Sequence, residues 1–143
     1  MKKLLSLLFI GAALQILFGC TNLHDEIETA RGLSAGGIAG TMQTPKAWDE
    51  NAVKWTSSDV DKGIYEYEFT ASDSAIEWKV LIKRGVWDPA YAVEGIALNG
   101  NQVKLKEVRG LDKITTEGLE SGGKYKIVVI QKGDQVYAKV VTK

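Results

Sequence analysis

The stretch Ile76-Glu77-Trp78-Lys79-Val80-Leu81-Ile82-Lys83-Arg84-Gly85-Val86-Trp87-Asp88-Pro89-Ala90-Tyr91 decides how the rest of the chain is read. Ile76, Trp78, Val80 and Ile82 alternate with Glu77, Lys79 and Lys83, and only Leu81 is apolar out of phase. Successive side chains of a strand point to opposite faces, so this period of two predicts a strand half-buried in an antiparallel sheet. The apolar set faces the core and Lys79 faces away from it. Arg84-Gly85 should break the strand, with Trp87-Asp88-Pro89 following as an aromatic turn.

Working outward, turn residues punctuate short alternating runs. Ile38 to Gln43 is a candidate first strand, and Thr44 to Lys62 is a long polar connection holding Trp48 and Trp55. Gly63 to Thr70 alternates, with Tyr65, Tyr67 and Phe69 opposite Glu66 and Glu68. Tyr91 to Leu98 reads as a weaker strand, closed by the turn Asn99-Gly100-Asn101. Val103 to Val108, a poorer strand around Lys113 to Thr116, Tyr125 to Ile130 and Val136 to Val141 complete the series. No segment beyond the first twenty residues sustains a helical period. The spacing predicts an all-β, immunoglobulin-like β-sandwich of about seven or eight antiparallel strands over residues 36–143.

The N-terminus is of a different kind. Lys2 and Lys3 precede an apolar run from Leu4 to Phe18, which ends at Gly19-Cys20. The run is shorter than the roughly 20 apolar residues of a transmembrane helix and reads as a signal helix. A small residue before the one cysteine of the chain resembles a bacterial lipobox. That resemblance implies a lipoprotein signal peptide over residues 1–19, lipidation of Cys20, and residues 20–35 as a flexible tether. It also implies a cell-envelope location, with the outer membrane expected. Cleavage would leave 124 residues carrying 16 basic and 18 acidic side chains, a net charge of −2. Such a balance gives no electrostatic basis for binding nucleic acid.

Composition also narrows the chemistry. The one histidine, His24, falls in the tether, and with Cys20 lipidated no thiol remains. Ser-His and Cys-His nucleophiles, metal-ligand clusters and disulfides are therefore not expected in the domain, and no cofactor is implied. Carboxylates remain at Asp49, Glu50, Glu66, Glu68, Glu77 and Asp88. Glu66 and Glu68 share a strand face about 7 Å apart, which suits a solvated edge better than a catalytic pair. Non-catalytic binding is the stronger expectation. All four tryptophans lie between positions 48 and 87, and an indole face stacks on the C–H face of a sugar at little entropic cost. Trp78 shares the apolar stripe and is expected in the core. Trp55 is open between packing and exposure. Trp48 and Trp87 sit in polar segments and are expected at the surface.

The order Gly40-x-Met42-x-x-Pro45-x-x-Trp48, then Gly63-Ile64-Tyr65-Glu66-Tyr67-Glu68-Phe69, then Glu77 to Tyr91, resembles the starch- and glycogen-binding β-sandwich modules. Among these are the glycogen-binding domain of the AMP-activated kinase β subunit, the starch-binding modules of amylases and pullulanases, and outer-membrane starch-binding lipoproteins. The resemblance covers Gly40 to about Asn101. It implies stacking tryptophans at Trp48 and Trp87, an outward lysine at Lys79, and a polar residue of the later turn at Asn99 or Asn101. The function it implies is a lipid-anchored, non-catalytic domain for α-glucans. The alternative is a structural or protein-interaction lipoprotein with the same sandwich, whose aromatics plug loops or dock a partner.

Overall fold

A computed structural model describes residues 32–143. The expected signal peptide, Cys20 and most of the tether lie outside the described residues. Among the described residues there are ten strands: β1 (Gly37–Gly40), β2 (Ser57–Asp59), β3 (Ile64–Thr70), β4 (Ala75–Lys83), β5 (Val86–Ala92), β6 (Val103–Lys104), β7 (Lys106–Val108), β8 (Ile114–Glu117), β9 (Lys124–Lys132) and β10 (Gln135–Thr142). They form two five-stranded antiparallel sheets. One runs β1-β4-β5-β7, with β8 also on β4, and the other β2-β3-β9-β10-β6. The domain is the all-β sandwich that the alternation predicts. Among the described residues no helix is long and apolar enough to cross a membrane.

Between the sheets, Ile76, Trp78 and Val80 of β4 pack with Tyr65 and Phe69 of β3, Tyr125, Ile127 and Val129 of β9, and Val136, Ala138 and Val140 of β10. Burying each of the larger aliphatic side chains among these contributes about 1.5–3 kcal/mol. Trp78 is fully buried, and its Nε1–H donates to Thr116 Oγ1 at 3.1 Å. Trp55 also belongs to this core, donating Nε1–H to the Leu33 carbonyl at 2.7 Å and packing on Tyr65. A buried indole needs a partner for its N–H, and both rings have one.

β4 is the spine of its sheet. One edge pairs with β1 (Gly40↔Trp78), and the other with β8 along its first half (Trp78↔Ile114) and β5 along its second (Val80↔Tyr91). The sequence expectation for β5 needs correction, because the strand begins at Val86 and contains Trp87. The aromatic turn is not a turn. Arg84-Gly85 alone reverses the chain, with Gly85 at φ +80°, so that Lys83 pairs with Val86. A two-residue hairpin loop with a glycine at positive φ is sufficient for this reversal. Leu81 pairs with Ala90, which places extra residues on β5 between Val86 and Ala90. Pro89, with no N–H to donate, falls within that irregularity.

The run Val103 to Val108 divides at Leu105. β6 pairs with β10 of one sheet and β7 with β5 of the other. Leu105 is buried at this corner, its N–H donating to the Val136 carbonyl at 2.8 Å. This division, together with β2, raises the strand count above the seven or eight expected.

Candidate functional site

Leu81, out of phase in the sequence, is explained by a second small core. The outer face of the β1-β4-β5-β7 sheet buries Ala39, Val53, Leu81 and Ala90, with Trp48 and Trp87 packed over them. Both indoles are half-buried, resting on apolar residues with the remaining ring surface open. Their centroids lie 6.4 Å apart with planes inclined at 48°. Lys79, next to Leu81 on the same face, places Nζ 5.2 Å from the Trp87 centroid. Trp48, Lys79 and Trp87, which the resemblance implies together, thus converge on one side of one sheet.

Trp87 arrives there on β5. Trp48 is delivered by a loop, and sequence reasoning missed the residue that builds it. Gln43 is buried, and its Oε1 accepts from the N–H of Gly40 at 3.0 Å and of Asp49 at 2.9 Å. Its Nε2 donates to the carbonyls of Asp49 at 2.9 Å and Ala52 at 3.1 Å. One side-chain amide therefore does for this loop what a strand partner does for a strand. Trp48 itself sits at φ +55° and donates its N–H to the Gly40 carbonyl at 3.0 Å. A left-handed backbone at a bulky residue costs on the order of 1–2 kcal/mol and persists only where neighbouring contacts impose it. The Gln43 bonds and the indole's seat on the second core are such contacts. A Gln at a strand end carries no pattern that distinguishes it from a solvated one.

Lys79 lies on the outward face as expected, yet it is only 6% exposed. Its Nζ donates to the Gly110 carbonyl at 3.0 Å, and the Gly110 N–H donates to Asp88 Oδ1 at 2.9 Å. Gly110, at φ +85°, is held at both its N–H and its carbonyl by two side chains from neighbouring strands. An ammonium has three protons, so this bond does not exhaust Lys79 as a donor. Beyond Gly110, Leu111 is 96% exposed, and Lys113 forms an ion pair with Glu77 of β4. The 110–113 segment forms one wall of a cleft of about 600 Å³ whose other lining includes Trp48, Glu77, Lys79, Trp87 and Asp88. Turn-like polar residues gave no sign that this segment borders the tryptophans.

Asn99 and Asn101 are a correction to the expected site. Asn99 adopts φ +59° and spends its amide on β10, Nδ2 donating to Thr142 Oγ1 at 3.0 Å and Oδ1 accepting from the Thr142 N–H at 2.9 Å. That strand belongs to the other sheet. Asn101 is exposed in the same turn, and neither asparagine lines the cleft. The turn signal was right, but it serves the sandwich edge.

Cys20 is outside the described residues. Among those residues, no group of three or more His, Cys, Asp or Glu side chains is placed to hold a metal ion.

No protein-family model matches the chain. No curated protein matches it either. Among solved structures, the chain is similar to the ligand-induced structure of AmyP-SBD, at 13% sequence identity and a TM-score of 0.45, over 73% of this chain and 70% of that one.

Proposed function

We propose that this is a non-catalytic carbohydrate-binding domain for α-glucans (starch, glycogen or maltooligosaccharides), carried by a protein anchored through a lipid on Cys20 at the bacterial outer membrane. The observation that carries the binding reading is the Trp48–Trp87 pair, two part-exposed indoles 6.4 Å apart over a shared apolar seat with a lysine between strand and loop. Indole faces stack on the apolar faces of pyranose rings. Planes inclined at 48° make an angled floor, which suits a curved chain of sugars better than a flat sheet of them. Asp88 and the Glu77–Lys113 pair supply polar groups at the rim, and Lys79, nearly buried, lines the same cleft. The platform is small, so affinity for a single oligosaccharide is expected at tens of micromolar to millimolar, on the order set by the cost of association. Neighbouring copies on a membrane would raise it by avidity.

The test is a titration of intrinsic tryptophan fluorescence with maltoheptaose, glycogen and a β-glucan control. The wild type should respond to the α-glucans, and Trp87→Ala, shown to be folded by circular dichroism, should not. A wild type that responds to none of the glycans would overturn the proposal. Leu111, fully exposed beside the platform, would then point to the protein-docking alternative.

A further inference from the structure

A second cleft, of about 790 Å³, lies against the first. Leu111, Asp112 and Lys113 line both, so these three residues stand as a ridge between them. The ridge is fixed at its start by the Gly110 peptide, held by Lys79 and Asp88, and at its end by the Lys113–Glu77 ion pair. The second cleft is therefore built to the same wall as the platform and needs no rearrangement to adjoin it. Its far side comes from β5 to β7, with Val93, Val103 and Val108 as half-buried apolar floor and Lys104, Lys106 and Glu94 exposed.

From this continuity we infer that the second cleft is an extension subsite, in which a neutral glycan chain seated on Trp48 and Trp87 continues over the Leu111–Lys113 ridge. The inference rests on the α-glucan reading of the platform. Two features of the cleft select this occupant. With Lys113 paired to Glu77, the remaining charges balance, Lys104 and Lys106 against Glu94 and Asp112, so the cleft offers no net attraction for a polyanion. Its mixture of methyl floor and exposed hydrogen-bonding ends matches the alternating C–H faces and hydroxyls of a sugar chain. Among the described residues no aromatic ring lines it, so it adds to a chain already held and does not capture one alone.

The experiment compares maltotriose with maltoheptaose by isothermal titration calorimetry, on the wild type and on the Lys104→Ala/Lys106→Ala double variant. Both lysines are exposed, and the variant's fold is checked by circular dichroism. A longer chain offers more registers to a short site, and that statistical gain persists in the variant. An extension subsite adds a further gain in the wild type, on the order of tenfold in Kd or about 1.4 kcal/mol, and the double variant loses that part. An equal gain in the two proteins overturns the extension subsite while leaving the platform standing. Failure of the wild type to bind either oligosaccharide overturns the platform and the extension together.

Discussion

Replacing Gln43 with leucine tests whether one buried amide sets the position of Trp48. The substitution keeps the volume of the side chain and removes four hydrogen bonds, to the Gly40 and Asp49 N–H groups and the Asp49 and Ala52 carbonyls. A bond of this kind contributes about 1 kcal/mol net, and a donor left buried without a partner costs about 1–3 kcal/mol. Only the bond to the Gly40 N–H is fully buried; the other three are partly accessible, so water can replace part of what they lose. The expected destabilisation is about 2–4 kcal/mol, a large share of the ~5–15 kcal/mol that holds a small domain folded. With a urea m-value of about 2 kcal/mol/M, the middle of the usual range for a small domain, the unfolding midpoint should fall by roughly 1–2 M. The near-ultraviolet circular dichroism should also change in the native baseline, because Trp48 loses its fixed place beside Trp87. A midpoint within about 0.3 M of wild type, or a native aromatic spectrum unchanged, would refute the claim that Gln43 organises the loop.

Two further predictions concern the sandwich itself. Thr116→Val removes the acceptor of the buried Trp78 indole while preserving shape, and should destabilise by about 1–3 kcal/mol in urea unfolding; a loss under about 0.5 kcal/mol would show that the indole finds another partner. Glu68 has its carboxyl pKa held below the ordinary value of 4.5, chiefly by the hydrogen bond from Lys143 and further by the charges of Lys143 and Lys126, against an opposing effect of desolvation. A depressed folded pKa stabilises the fold above the unfolded value, and that contribution disappears as pH falls through the folded value. Below about pH 4.5 the unfolding midpoint should therefore drop less steeply in Lys143→Ala than in wild type; parallel curves would rule the pair out as a source of acid sensitivity.

The period of two was enough to determine that the domain over the described residues is all-β, that Trp78 is interior and that Lys79 faces the other way, because strand geometry alternates side chains whatever the neighbours are. The polar segments around Trp48 and Trp87, and not the alternation, marked those two as surface residues. Leu81 shows where local pattern ends. It is buried on the outer face because a loop and a neighbouring strand bring two indoles across it, and no residue adjacent in sequence records that. The asparagines fail for the same reason: a turn signal states that the chain reverses, not which sheet the reversal faces, and Asn99 faces β10. Gln43 bonds backbone groups three to nine residues away with a side chain that looks like any solvated one, and Gly110 is held by side chains 22 and 31 residues away, so its role exists only once the strands are paired. Side-chain alternation was written in the chain, and the resemblance grouped Trp48, Lys79 and Trp87; the apolar seat beneath the indoles and the wall that joins two clefts beside them came from long-range packing alone.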